Sequence, residues 1–99
     1  MLHIVNKSPF ENNTLSNCLR FARPGAAVLL IEDAVYAGTR DTVTERELKE
    51  AMSNINVYAL QPDLEARGVQ DKMIDGIKLV DYAGFVDLVA EHNTTQSWL

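Results

Sequence analysis

Cysteine is nearly absent. One residue, Cys18, stands in a chain of 99, so no internal disulfide can form, and the chain fits a reducing compartment. Histidine is scarce as well. His3 and His92 have no Cys, His or acidic neighbour at metal-ligand spacing, so no metal site is predicted. Basic residues are outnumbered: 9 Lys and Arg face 14 Asp and Glu, for a net charge of −5. Phosphate backbones are gripped by clustered Lys and Arg, so a direct, stand-alone role on nucleic acid is not expected. No apolar run approaches the roughly 20 residues that cross a bilayer, and no membrane contact is expected. The opening "MLHIVNKSPF" has no basic region ahead of its four apolar residues and no small-residue cleavage site. It predicts no signal peptide and a cytoplasmic protein. GxGxxG, GxxxxGK[ST] and GxSxG are missing, so neither common phosphate loop nor a hydrolase elbow is supported, and no cofactor is predicted.

What is present reads as one domain over residues 1–99. Hydrophobic residues make up 46% of the chain, enough for one modest core. Four short runs read as strands: "LHIV" (2–5), "AAVLLI" (26–31), "INVYAL" (55–60) and the more exposed "IKLV" (77–80). The second is apolar throughout, as expected of a strand covered on both faces. Helical stretches with legible ends lie between them. Ser8, Pro9 and Glu11 suggest a helix start, and "RPG" ends that helix at about Arg23. Asp33 can cap "AVYA", and Thr44 and Glu47 have capping-box spacing ahead of "TERELKEAM". Pro62 and Gly68 bracket a short helix, and Asp81 can cap "YAGFVDLVAEH", in which Phe85, Val86, Leu88 and Val89 form an apolar face. The polar tract "AGTRDTVTE" (37–45) is the expected mobile loop. This alternation predicts an α/β fold with a mostly parallel sheet and right-handed crossovers.

Ligands of such sheets sit at the carboxyl ends of strands. Those ends carry Asn6, Lys7 and Ser8; Glu32 and Asp33; Gln61 and Asp63; and Asp81 and Tyr82. The bland account of Asp33, Asp63 and Asp81 is helix capping. By elimination Cys18 is the candidate reactive atom. Its own spacing opposes that role. Leu15, Cys18, Leu19 and Ala22 fall at i, i+3, i+4 and i+7, the buried stripe of an amphipathic helix, and free cysteine often serves as a small hydrophobe. Lys7, Arg20 and Arg23 are the nearest cations in sequence that could hold a thiolate. Trp98 is the only tryptophan and lies beside the chain end, where it is anchored either on its own core or at an interface.

Taken in order, "NKSPF", "SNCLRFA", "VLLIEDAVYA", "VYALQPDLEARG" and "VDYAGFVDLVAEH…QSWL" resemble the DsrH/TusB family over nearly the whole chain. The resemblance implies a three-layer α/β sandwich around a small, mostly parallel sheet of four or five strands. It implies a subunit of a sulfur-relay complex, a dimer of heterotrimers with DsrE/TusD-like and DsrF/TusC-like chains. Such complexes pass persulfide sulfur to a DsrC/TusE-like acceptor, in tRNA wobble-uridine 2-thiolation or in dissimilatory sulfur oxidation. Members from sulfur oxidisers carry a cysteine in the first helix and enteric members lack it there. Cys18 matches the former and is thereby a candidate persulfide carrier, auxiliary to the principal cysteine of the DsrE/TusD-like chain. Thiol–persulfide exchange needs no metal or organic cofactor. Three readings follow: a sulfur carrier, which needs Cys18 accessible; a non-catalytic structural subunit, in which Cys18 is packing; and a small-ligand-binding α/β module using the strand carboxyl ends.

Overall fold

The computed structural model describes residues 1–98. Five strands form one parallel sheet: β1 (Leu2–Val5), β2 (Ala27–Leu30), β3 (Asn56–Leu60), β4 (Lys78–Val80) and β5 (Thr95–Trp98), in the order β4-β3-β2-β1-β5. The expected α/β class holds, and the fifth strand comes from the polar tail. Along that strand Leu2 is opposite Thr95 and Val5 is opposite Trp98. The four predicted strands sit where their apolar runs placed them, and β2 is buried at every position.

Four helices connect them: α1 (Thr14–Phe21), α2 (Glu45–Ala51), α3 (Gln61–Ala66) and α4 (Tyr82–Glu91). A 3₁₀ helix (Glu32–Gly38) precedes α2 and a single 3₁₀ turn (Gln70–Lys72) follows α3. The first three connections step from strand to neighbouring strand in one direction. Their apolar side chains, among them Leu15, Val35, Leu48 and Leu64, share one core with Val5, Val28, Leu30 and Val57. The last connection runs back across the whole sheet, and right-handed crossover then requires the opposite face. There Leu88 and Phe85 of α4 pack on Leu2, Ala27, Leu29 and Tyr58. This makes three layers.

Two expectations change. The first helix starts at Thr14, not near Pro9. Ser8 accepts the Phe10 amide on its hydroxyl at 3.2 Å, and Asn12 accepts the Thr14 amide at 3.0 Å. These local side-chain bonds offer the backbone an alternative to a helix, so residues 8–13 form turns. The tract 37–45 is tied down rather than loose. Ala37 and Gly38 are buried, the Arg40 amide donates to Lys72 at 2.7 Å, and the Thr44 hydroxyl donates to the Ala37 carbonyl at 3.1 Å. No helix among the described residues is long and apolar enough to cross a membrane.

Candidate functional site

The strand carboxyl ends come together as predicted, but their acids are engaged. Asp81 caps α4 through the Gly84 amide at 2.8 Å, as its position before the helix required. Asp33 does not cap; its carboxylate takes Arg67 at 3.0 Å. Asp63 accepts the amide of Glu32 at 2.7 Å and lies 4.0 Å from the same guanidinium. Glu32 holds a left-handed backbone, φ 50°, which the Asp63 bond fixes at the exit of β2. Arg67 thus joins the exits of β2 and β3 into one strut. The connections after β3 and β4 leave on opposite faces, so the sheet's crevice position lies between Gln61 and Asp81–Tyr82. Asp81 is already a cap there. The amide oxygen of Asn6, at the exit of β1, is buried without a hydrogen-bond partner among the described residues.

Cys18 lies in the middle of α1 on the sheet-facing stripe. It is 0% exposed and belongs to the same core cluster as Leu15, Val5 and Val28. Burial pushes its thiol from 9.0 up to about 12. The accessibility expected for a carrier is therefore not met in this chain by itself. A thiolate would have to leave water with nothing to replace it. The cations offered by the sequence do not help. Arg20 points its guanidinium to Asn17 at 2.6 Å, and Lys7 and Arg23 are exposed whereas Cys18 is sealed in the core. Cys18 sits five residues into the shortened helix, already past the first turn over which the dipole acts. The i, i+3, i+4, i+7 spacing was the better guide to its environment than the lack of other nucleophiles.

An assembly that sequence spacing did not reveal lies at the edge of the same core. His3 in β1, Phe21 at the end of α1 and Trp98 in β5 pack ring on ring, with centroids 5.8 to 6.1 Å apart. The Trp98 indole N–H donates to His3 Nδ1 at 3.1 Å. Trp98 is thereby anchored on its own core, one of its two expected places. His3 is 1% exposed. The pairing spans 95 residues of sequence, and no local signal marks it.

Burial lowers the pKa of His3 below 6.5. The folded chain therefore binds fewer protons than the unfolded chain once the pH drops below about 6.5, and stability falls with pH in that window. Melting temperature should decline between about pH 7 and pH 5, above the usual carboxylate range. His3→Gln keeps an acceptor for Trp98 without titrating, and should flatten that decline. An unchanged decline in this variant would assign it to other groups.

Tyr82, Val86 and Val89 mark a second feature. They follow one another at i, i+4 and i+7 along α4, and Tyr82 and Val86 are 62% and 66% exposed. The apolar face read from the sequence thus divides: Phe85 and Leu88 turn to the sheet, Val86 and Val89 to solvent. Leu79 in the neighbouring edge strand is exposed too.

A family model described as "DsrH like protein" matches residues 7–95. The chain is 34% identical over 99 residues to Protein TusB of Pectobacterium parmentieri, covering 99% of this chain and 100% of that one. It is 35% identical over 98 residues to Protein TusB of Escherichia coli (strain SMS-3-5 / SECEC), with 99% and 100% covered. Its fold is similar to that of the ychN protein from E. coli, with a TM-score of 0.82, 21% identity and 97% of each chain covered. A protein from Methanobacterium thermoautotrophicum, MTH1491, superposes with a TM-score of 0.72 at 16% identity, covering 97% of this chain and 95% of that one. With the parallel sheet, the order of its connections and a match running almost from end to end, the chain belongs to the DsrH/TusB family.

Proposed function

We propose that this chain is a cytoplasmic subunit of a sulfur-relay complex and that its own contribution is structural. In this reading it completes an assembly with DsrE/TusD-like and DsrF/TusC-like chains, a dimer of heterotrimers. That assembly delivers persulfide sulfur to a DsrC/TusE-like acceptor, for tRNA wobble-uridine 2-thiolation or for sulfur oxidation. Family membership over residues 7–95 carries the reading. The exposed Tyr82, Val86 and Val89 on α4 support assembly, since an apolar stripe of this kind marks a contact surface. The burial of Cys18 supports the structural role over the carrier role.

The carrier reading is the second, favoured by the place of Cys18 in the first helix. It requires α1 to lift from β1 and β2 when partners bind. Coexpression with the two paralogous chains, followed by size-exclusion chromatography and intact-mass analysis, separates these readings. We expect a three-chain complex with the sulfur adduct, about +32 Da, on a partner chain, and unchanged transfer by a Cys18→Ser complex. An adduct on this chain, with transfer slowed in Cys18→Ser, would make Cys18 the carrier. Recovery of this chain alone, with both paralogues present, would overturn the relay assignment.

A further inference from the structure

A pocket of about 330 Å³ opens at the amino ends of β1 and β2, below the last turn of α1. This is the end of the sheet opposite to the one where ligands were expected. It is lined by Met1, His3, Phe21, Arg23, Pro24 and Ala26, with Gly25 at the turn. Its volume lies at the lower limit of small-molecule sites. Gly25 has φ +88°, and a side chain there would meet nothing within 4 Å, so the turn leaves the mouth open.

The polar groups of this pocket are few and of one kind. An indole N–H can only donate, so the bond from Trp98 makes His3 Nδ1 an acceptor. In the neutral ring the proton is then on Nε2. That N–H has no partner among the described residues, and it is not among the sealed, unsatisfied atoms. His3 is thus a buried donor in a residue that lines the pocket. Arg23 lines the same pocket, and its guanidinium forms no ion pair or side-chain hydrogen bond among the described residues. The last turn of α1 adds partial negative charge nearby, about half an elementary charge at most for a helix end. The full charge of Arg23 exceeds it. Met1, Phe21, Pro24 and Ala26 supply apolar walls.

We propose that this pocket binds a small organic carboxylate with an aromatic or branched apolar body. The carboxylate takes the His3 Nε2–H and pairs with Arg23, and the body lies against Phe21 and Pro24. The site is distinct from Cys18 and from the strand carboxyl ends, and does not depend on the relay reading.

Benzoate is the probe, titrated into the ¹⁵N-labelled full chain and followed by NMR, with benzamide as the uncharged shape match. Saturable shifts at the Phe21, Gly25 and Ala26 amides and at the His3 ring nitrogens are expected. Benzamide should bind about tenfold more weakly, since a charge-assisted hydrogen bond is worth roughly twice a neutral one. Arg23→Gln alters an exposed side chain and leaves the fold intact, and it should remove most of the difference between the two probes. Shifts that stay linear or absent to about 20 mM, or benzamide binding as tightly as benzoate to the unaltered chain, would overturn the proposal.

Discussion

Alkylation of Cys18 at pH 8 should proceed roughly a thousandfold more slowly in the folded chain than in denaturant. The thiolate is the reacting species. Moving the thiol from 9.0 to about 12 lowers its fraction by about three powers of ten. Lack of access through Leu15, Val5 and Val28 slows the reaction further. The same shift has a stability consequence of definite sign. Because the folded thiol titrates above the unfolded one, its contribution is full below about pH 9 and is lost as the pH rises from there toward 12. Cys18→Ser places a hydroxyl in an apolar core and should cost about 1–3 kcal/mol unless it finds a partner. Rapid alkylation of the native chain would mean that α1 opens readily, and would revive the carrier reading. A persulfide on Cys18 also needs space for a second sulfur atom, and close-packed protein cores leave few voids of that size.

Trp98→Ala should cost about 3 kcal/mol, the lower part of the range for truncating a large aromatic in a core, since Trp98 is only partly buried. For a domain of this size each kcal/mol is about 4–8 °C in melting temperature. Two effects combine. The variant loses the ring packing on Phe21 and His3, and it leaves His3 Nδ1 without its donor. Trp98→Phe keeps a ring but not the N–H, and should fall between the two. The sequence left open whether the tail serves an interface. The parallel pairing of β5 with β1 places its first effect on the chain's own fold. Chemical denaturation of the isolated chain measures this. A loss below about 0.5 kcal/mol, with complex formation abolished, would return Trp98 to the interface.

The sequence by itself determined the elements whose signals are local. Apolar runs marked β1 to β4 because a strand buried on both faces needs no alternation. Pro62, Gly68 and Asp81 marked helix ends because each acts on backbone groups within a few residues. The stripe Leu15–Cys18–Leu19–Ala22 placed Cys18 in the core, because helical periodicity alone decides which face is buried. Family membership was legible too, from the order of motifs along the chain.

Tertiary structure decided what depends on distant neighbours. The polar "TQSW" has no strand signature, and becomes β5 because β1 presents it a free edge. Asp33 had the position of a cap, but Arg67, 34 residues away, drew its carboxylate elsewhere. Val86 and Phe85 are adjacent apolar residues, and only the placement of α4 on the sheet turned one inward and the other outward. His3, Arg23 and Trp98 carry no common motif. His3 and Trp98 meet because parallel strands brought from opposite ends of the chain lie side by side, a proximity that no spacing along the sequence encodes.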